Sequence, residues 1–341
     1  MKAVRIHEFG GPEVLHYEDI ADPEPTKGQV LVRVRACALN HLDLWVRQGL
    51  PGVKLPHILG SDIAGEIAQV GDSVSGFTLG QRVLVAPMRF CNICAHCTAG
   101  LQNQCPNFTV LGNLVDGGNC QLIAVPAVNV IPIPDALDFI EAASVPLVFL
   151  TAWHMLVGRA KVRPGQTVLV LGANSGVGIA GIQVAKLFHC RVIATAGDER
   201  KMDQARELGA DHVIDHYRQK ISEEVRRITG GEQVDIVMEH VGEATWDQSL
   251  RSLKPGGTVV TCGATTGPQV KIDLRFVFSR QLSILGSYMG TMGELYEVLK
   301  HVFGGRLKPV VDRAFPLPEA RQAHAYMENK QMFGKIVLNI N

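Results

Sequence analysis

The sequence has no excess of charge of either sign. Lys and Arg together number 33, and Asp and Glu together number 33, so the formal net charge at pH 7 is zero. A protein that binds the phosphate backbone of DNA or RNA needs a cationic surface. The balanced charge therefore argues against nucleic acid as a partner and leaves a small-molecule substrate as the expectation.

Long hydrophobic runs are also absent from the N-terminal segment. Residues 1–15 are polar and alternating, with no apolar stretch of the length that a signal peptide or a membrane span requires. We therefore expect a cytoplasmic protein with no membrane partner. In a reducing compartment the 8 cysteines are more typical of metal ligands or small buried residues than of disulfides.

The chain of 341 residues is long enough for about two domains. Residues 30–36, 64–70 and 82–86 alternate apolar and polar side chains, which favours an antiparallel sheet or barrel. Several prolines between residues 126 and 146 indicate a junction. After Gly165, wholly apolar strands alternate with helices, the pattern of a parallel sheet covered on both faces.

A glycine-rich turn opens this second region. Gly172, Gly176 and Gly178 lie between an apolar strand and an apolar helix. Glycine permits a sharp turn and the close approach of a pyrophosphate, and the N-terminus of the helix offers unpaired N–H groups. The strand before and the helix after predict a dinucleotide site, with a tight turn that binds nothing as the alternative.

The end of the next strand bears on the choice of nicotinamide cofactor. The strand ends at the neutral pair Ala196-Gly197, and the cations Arg200 and Lys201 follow within one turn. Two cations there favour a ribose phosphate and hence NADP(H). NAD stays possible, because Asp198 stands about 20 residues after the glycines, where an NAD site places its ribose-binding acid.

Four cysteines form a compact motif. Cys91, Cys94, Cys97 and Cys105 have the spacing C-x2-C-x2-C-x7-C, which is typical of a closed tetrahedral thiolate site for one structural zinc. An iron–sulfur cluster also takes four cysteines and is the competing hypothesis. The other four cysteines are isolated among apolar residues and are predicted to be core residues.

These features together resemble the medium-chain dehydrogenase/reductase superfamily, which includes the zinc alcohol dehydrogenases and the quinone oxidoreductases. The resemblance covers essentially the whole chain. It rests on the cysteine and glycine motifs above and on the runs Met1-Lys-Ala-Val, Gly11-Pro-Glu-Val, Lys254-Pro-Gly-Gly-Thr and Gly334-Lys-Ile-Val-Leu.

The resemblance implies an α/β fold with a GroES-like β-barrel catalytic domain and a Rossmann cofactor domain built on a doubly wound parallel sheet. The expected bounds are residues 1–130 with 295–341 for the catalytic domain, which carries the cysteine lobe at about 89–108, and 131–294 for the cofactor domain. The active site is expected in the cleft between them, and a homodimer or homotetramer is expected through residues 282–288.

The resemblance also places the side chain of Lys335 on the cofactor pyrophosphate, with a solvated strand-end lysine as the alternative. The predicted cofactor-binding residues are Gly172, Asn174, Ser175, Gly176, Val177, Gly178, Ala196, Gly197, Arg200, Lys201, Gly263 and Lys335.

The sequence departs from the zinc enzymes at the catalytic metal. Where those enzymes have a cysteine, a histidine and a second cysteine, this chain has Asn40, Ser61 and Leu147. Zinc has little affinity for such a set. Asn40 with Gly60-Ser-Asp resembles instead the quinone oxidoreductase and enoyl reductase branch, which usually lacks the cysteine lobe.

These residues predict an NAD(P)H-dependent reduction of an α,β-unsaturated carbonyl, quinone or enoyl thioester without catalytic zinc. Asn40 is the expected donor to the substrate carbonyl, and Ser61 and Asp62 are expected to shape the pocket. Asn40 is equally suited to cap a helix that begins near His41. An unconventional metal site from His41, Asp43 and His57 is a further possibility. The alternatives for function are a zinc-dependent alcohol dehydrogenase with unusual ligands and a catalytically silent nucleotide-binding protein.

Overall fold

The computed structural model describes residues 1–341 and divides the chain into two compact units, Met1–Leu147 with Lys308–Asn341, and Val148–Leu307. Both bounds lie later in the chain than the sequence predicts. The first unit keeps Val130–Pro132 because that strand pairs with Arg82–Val85. The second unit keeps Met292–Phe303 because this helix buries its apolar residues there and Glu294 binds His154.

The elements are numbered along the chain. The strands are β1 (Lys2–Ile6), β2 (Leu15–Asp19), β3 (Gln29–Ala38), β4 (His57–Ile58), β5 (Asp62–Val70), β6 (Arg82–Val85), β7 (Met88–Arg89), β8 (Thr109–Val110), β9 (Leu122–Pro126), β10 (Val130–Pro132), β11 (Thr167–Val170), β12 (Arg191–Ala196), β13 (His212–Asp215), β14 (Val234–Glu239), β15 (Leu253–Thr261), β16 (Ser283–Gly286), β17 (Val311–Pro316) and β18 (Lys335–Asn339). The α-helices are α1 (His41–Gly49), α2 (Ala95–Thr98), α3 (Phe139–Ala143), α4 (Pro146–Trp153), α5 (Gly176–Leu187), α6 (Glu199–Glu207), α7 (Ile221–Ile228), α8 (Trp246–Ser252), α9 (Leu274–Ser279), α10 (Met292–Phe303) and α11 (Ala320–Glu328).

The first unit is built on a seven-stranded sheet in which β10, β6, β5, β3, β18 and β17 lie side by side. The long strand β3 pairs antiparallel with β9 through its first half and with β18 through its second half. Apolar residues that alternate along these strands, such as Val32, Val34 and Ile67, are buried in the core. The antiparallel pattern predicted from residues 30–86 is therefore confirmed.

The second unit holds a six-stranded sheet, parallel throughout, with the order β13-β12-β11-β14-β15-β16. The strands are apolar because helices cover them, as where Val225 of α7 and Leu250 of α8 pack into the core with Leu169 and Val237. The predicted α/β fold class, a GroES-like domain with a Rossmann domain, is confirmed. No helix combines the length and the apolar character that a bilayer span demands.

Candidate active site and metal centre

The four predicted cysteines converge. The sulfur atoms of Cys91, Cys94, Cys97 and Cys105 all lie within 4.8 Å of one another. The Sγ–Sγ distance is 3.9 Å from Cys91 to Cys97 and 3.6 Å from Cys91 to Cys105. A tetrahedron with zinc–sulfur bonds of about 2.3 Å has sulfur–sulfur edges of about 3.8 Å. The cluster therefore has the donor set and the spacing of a closed thiolate site.

Backbone amides around the lobe donate to the sulfurs. The N–H groups of Cys94 and Cys97 point at the sulfurs of Cys91 and Cys94, with N–Sγ distances of 3.4 and 3.5 Å, and Asn107 N lies 3.4 Å from Cys105 Sγ. A donor stabilises a thiolate over a thiol, and the N–H group of Ile93 heads the causes that lower the pKa of Cys91 to about 6. The thiolate is also the form that binds metal, so the backbone is arranged for ligands.

The glycine turn of the second unit has the backbone that a dinucleotide needs. Gly172 has φ +59°, and a Cβ on Gly178 would lie 2.1 Å from the Gly172 carbonyl oxygen. Ser175 caps α5 by accepting a hydrogen bond from Gly178 N at 2.9 Å. The first turn of a helix leaves its other N–H groups without helical partners, and here those of Gly176 and Val177 are available to an anion.

Other candidates gather at the carboxyl ends of the parallel strands. Gly172 follows β11, Gly197 follows β12 and Gly263 follows β15. Successive strands are added on one side of β11 up to β13 and on its other side from β14 onward, and ligands of such sheets bind outside the carboxyl ends at this switch point. The sequence analysis missed His240, which follows β14 here and whose Nε2 lies 2.8 Å from Leu171 O. Its position after a buried strand was the available signal.

Asp198 occupies the N-cap of α6 and is held by Lys201. The Asp198 carboxylate accepts from Lys201 N at 2.9 Å and lies 3.0 Å from Lys201 Nζ. Burial opposes its ionisation, but the bonds from Lys201 outweigh burial and lower the pKa of Asp198. Tyr217, also missed from the sequence, lies against Gly197, where an added Cβ would come 2.6 Å from the Tyr217 ring.

A buried polar network occupies the first unit at the candidate catalytic residues. Lys335 Nζ lies 2.6 Å from Asn40 Oδ1, 3.0 Å from Asp62 Oδ2 and 2.7 Å from Leu39 O. Asn40 Nδ2 donates to Asp62 Oδ2 at 3.0 Å and to Ala38 O at 3.4 Å. Because an ammonium only donates, it fixes which side of the Asn40 amide is oxygen.

Asp43 is joined to this network through backbone amides. Its carboxylate accepts from the backbone N–H of Asn40 at 2.7 Å and from that of Gly60 at 2.9 Å. Burial raises the pKa of Asp43 to about 6, although both amides oppose the shift. Asp43 thus ties the start of α1 to the residue that precedes Ser61. The Ser61 hydroxyl is buried and donates to Leu111 O at 2.7 Å.

Each of the two units contains a segment that matches a known protein family. The zinc-binding dehydrogenase family matches residues 176–304, and the alcohol dehydrogenase GroES-like domain family matches residues 26–135. Quinone oxidoreductase of Rattus norvegicus is 31% identical, with 99% of this chain and 97% of that protein covered. Acryloyl-coenzyme A reductase of Metallosphaera sedula is 32% identical, with 99% of each covered.

A crystal structure described as an NAD-dependent alcohol dehydrogenase is 44% identical and superposes with a TM-score of 0.97 over 100% of both chains. Two whole-chain relatives above 30% identity decide the assignment. The chain belongs to the medium-chain dehydrogenase/reductase superfamily. It is an oxidoreductase of that superfamily.

The three residues that differ from the zinc ligands of related enzymes make hydrogen bonds within the first unit. The Asn40 side chain is bonded to Lys335 and Asp62, the Ser61 hydroxyl is bonded to a carbonyl, and Leu147 provides only its N–H, which donates to Asp62 Oδ1 at 2.8 Å. Catalytic zinc does not fit these residues, because they include no thiolate and no imidazole.

The hypothesis of a metal site from His41, Asp43 and His57 is wrong. The four cysteines form the only group of converging ligand atoms. Asp43 faces backbone amides, and His57 Nε2 lies 3.2 Å from Gly112 O. The ring of His41 packs edge-on against Trp45 with a centroid distance of 5.0 Å.

The structure excludes one of the two predictions for Lys335 and leaves the other untested. A solvated strand-end lysine is excluded, because the side chain is 4% exposed. Its three ammonium hydrogens face three acceptors within the first unit. A contact with the cofactor pyrophosphate stays a prediction, and it requires Lys335 to give up one of these bonds.

Proposed function

We propose that the chain reduces a conjugated acceptor, meaning an enone, a quinone or an enoyl thioester, with NADPH and without catalytic zinc. The observation that carries this proposal is the side-chain chemistry of Asn40, Ser61 and Leu147. A saturated alcohol loses its proton near pH 7 only with help such as a metal gives. A conjugated acceptor needs only hydrogen bonds to the oxygen on which charge develops.

Asn40 is the group that we assign to that oxygen. One of its amide hydrogens is committed to Asp62, but the other reaches Ala38 O across 3.4 Å, which is long for a hydrogen bond. A substrate carbonyl can replace this weak partner at small cost. A bound nicotinamide would supply the hydride, Asp62 holds Asn40 in place, and Ser61 shapes the pocket.

For the cofactor we propose NADP(H), with NAD as the alternative. Lys201 already neutralises Asp198 through two contacts, which weakens the case for Asp198 as the acid on a ribose hydroxyl. We assign the ribose phosphate to Arg200 and to Lys201, whose ammonium would then bridge the Asp198 carboxylate and the phosphate. The test compares kcat/KM for NADPH and NADH in wild type and in Arg200→Glu. A clear NADH preference in wild type sinks the proposal, and a loss in Arg200→Glu confined to NADPH supports it.

We propose one structural zinc per chain, held by Cys91, Cys94, Cys97 and Cys105. The converging sulfurs and the amide donors support it. A site with four protein ligands leaves no open position, so the ion stabilises the lobe and takes no part in turnover.

We also propose a homodimer, or a homotetramer built from it, through β16. This strand lies at the end of the parallel sheet, where unpaired backbone groups favour strand addition. Leu274 and Phe278 on the preceding helix α9 are 70% and 69% exposed, and Ile284 on β16 is 38% exposed. Exposed apolar side chains on an edge strand and on the helix that precedes it in the chain are the kind of surface that a second copy covers.

The experiment that tests the function is a substrate panel. Purified protein is assayed for NADPH oxidation with enones, quinones and enoyl thioesters, and for NAD(P)⁺ reduction with alcohols. Turnover confined to conjugated acceptors supports the proposal. Turnover of alcohols favours the second candidate, a zinc-dependent alcohol dehydrogenase with unusual ligands. The similarity to the structure described as an NAD-dependent alcohol dehydrogenase supports this candidate. Tight NADPH binding with no turnover of either class identifies a catalytically silent protein.

A further inference from the structure

Lys335 is a buried lysine of the first unit. Its ammonium contacts two candidate catalytic side chains, those of Asn40 and Asp62. The side chain of Lys335 is 4% exposed, and its partner Asp62 is 0% exposed. Lys335 begins β18, whose pairing with β3 runs from Val337 opposite Ala38 to Asn339 opposite Ala36. This register carries the ammonium to the end of β3, where Leu39 and Asn40 follow.

We infer that Lys335 is a positioning residue for the reaction, a built-in cation that fixes and polarises the Asn40 amide in place of a metal ion. This inference rests on the proposed function, in which Asn40 holds the substrate oxygen. The geometry points to Asn40 as the target, because the ammonium donates to Asn40 Oδ1 at 2.6 Å. It replaces the assignment of Lys335 to the cofactor pyrophosphate.

Lys335 and Asp62 together set the orientation of the Asn40 side-chain amide. An asparagine amide that could rotate by 180° would present its oxygen to the substrate in half of the molecules. Lys335 donates to Asn40 Oδ1 while Asp62 accepts from Asn40 Nδ2 at 3.0 Å. Rotation would place two donors face to face and two acceptors face to face, so the charged pair fixes the amide with its second hydrogen toward Ala38 O, the partner that a substrate oxygen would replace.

Polarisation follows from the same contact. A cation on the amide oxygen withdraws electron density from the amide and makes its N–H groups stronger donors, and hydrogen bonds in a buried chain reinforce one another. The substrate oxygen gains negative charge as hydride arrives, so a stronger Asn40 donor stabilises the transition state more than the ground state.

Two acids and one thiol surround the ammonium of Lys335. The carboxylates are those of Asp62 and Asp43, and Cys37 is a buried thiol. Lys335 is the cation, and its charge favours the ionised forms of Asp43 and Cys37. With the ammonium removed, the buried Asp62 carboxylate would face the Asn40 side-chain amide with no cation beside it. A divalent metal would have to displace Lys335 to bind here, and the remaining donors are a carboxylate, an amide oxygen and a carbonyl.

The test uses the full-length protein and separates catalysis, cofactor binding and folding. Lys335→Met removes the cation at nearly constant length. The expected result is a fall in kcat of about tenfold or more, with a Kd for NADPH, measured by fluorescence titration, within about twofold of wild type. Lys335→Arg keeps a cation and should recover part of kcat.

Because Lys335→Met leaves Asp62 buried and unpaired, its fold is weakened. The double variant Lys335→Met/Asp62→Asn removes both charges and should recover the melting temperature without recovering kcat. The exposed pair Lys2–Asp19, with an Nζ–Oδ2 distance of 2.6 Å, provides the control, and Lys2→Met should change neither quantity.

Three results would overturn the inference. A Kd for NADPH raised tenfold or more in Lys335→Met, with unchanged kcat at saturating cofactor, assigns the lysine to the pyrophosphate. Full kcat in the double variant reduces its role to folding. If Lys335→Arg has a kcat no higher than that of Lys335→Met, and the two variants have the same pH profile, the positive charge does not assist the reaction.

Failure of the proposed function gives a different result. Wild-type protein would then reduce none of the conjugated acceptors, whatever the variants do. In that case recovery of the melting temperature in the double variant with unchanged NADPH affinity still supports Lys335 as the built-in cation, and weakened NADPH affinity still opposes it.

Discussion

The ammonium of Lys335 lies 3.0 Å from the carboxylate of Asp62, and the two side chains are 4% and 0% exposed. The two residues are 273 positions apart in the chain. Removing one member of a buried ion pair costs about 3 to 5 kcal/mol, because the other charge stays buried without a partner. The pair therefore ties the end of the chain to the candidate catalytic residues that follow β3 and begin β5.

Removal of one lobe cysteine is expected to release the metal and to lower stability before it lowers turnover. Cys94→Ser should reduce the zinc content from about one per chain to near zero and lower the melting temperature by several degrees, because the proposed ion would crosslink the lobe. Elemental analysis and thermal unfolding are the measurements. Cys262→Ala, which changes a cysteine far along the chain, should keep the zinc. Iron in the native protein would identify a cluster instead.

Loss of the Asn40 amide is expected to slow the chemical step. Asn40→Ala should lower kcat about a hundredfold and leave the Kd for NADPH unchanged, because the proposed contact of Asn40 is with the substrate oxygen and not with the nucleotide. Asn40→Asp keeps an acceptor for Lys335 but has no N–H donor, so it should be as slow. Steady-state kinetics on the best acceptor decide the matter, and normal turnover in either variant removes Asn40 from the mechanism.

Asp43 is expected to make stability depend on pH. Burial raises its folded pKa to about 6, whereas an unfolded aspartate titrates near about 3.9. Between these values the folded state holds a proton that the unfolded state has lost, so the contribution of Asp43 to the free energy of unfolding decreases as pH rises from about 4 to about 6 and is constant above that.

The measurement is urea unfolding of wild type and Asp43→Asn across this range. The unfolding free energy of wild type minus that of the variant should fall by about 2 kcal/mol from the acid to the neutral end. A difference that stays constant with pH, or that increases, contradicts the assignment.

The glycine turn is expected to tolerate no side chain at Gly178. A Cβ there would lie 2.1 Å from Gly172 O, so Gly178→Ala must displace the loop that approaches the pyrophosphate. NADPH affinity should fall by about tenfold or more, measured by fluorescence titration. The control is Gly293→Ala, where the nearest atom would be 3.9 Å away. Equal affinity in Gly178→Ala would show that the turn is no nucleotide site.

The exposed edge of the second unit is expected to mediate self-association. Phe278→Asp places a charge on a side chain that is 69% exposed, where a second copy would bury it, and should convert the protein to monomer in sedimentation velocity. Leu79→Asp, at a residue that is 71% exposed in the first unit, should leave the assembly intact. A wild-type protein that sediments only as monomer refutes the interface.

The sequence by itself determined the features that depend on neighbouring residues. The spacing of Cys91 to Cys105 predicted that the sulfurs converge, because short loops keep them close, and the structure agrees. The strand, glycine turn and helix around Gly172 were recognisable for the same reason, since each follows from local backbone chemistry. The alternation of apolar residues likewise separated an antiparallel unit from a parallel one.

Only the tertiary structure decided where the ammonium of Lys335 lies. Its sequence neighbours gave no sign that the ammonium would be buried, because Asn40 and Asp62 are 295 and 273 residues away and meet it through the pairing of β18 with β3. For Asp43 only one contact was hidden in this way, because its spacing of three residues from Asn40 is that of a capping box and predicts the bond from Asn40 N, whereas the bond from Gly60 N depends on tertiary structure. Contacts of this kind depend on strand register, and register follows from how the whole core packs.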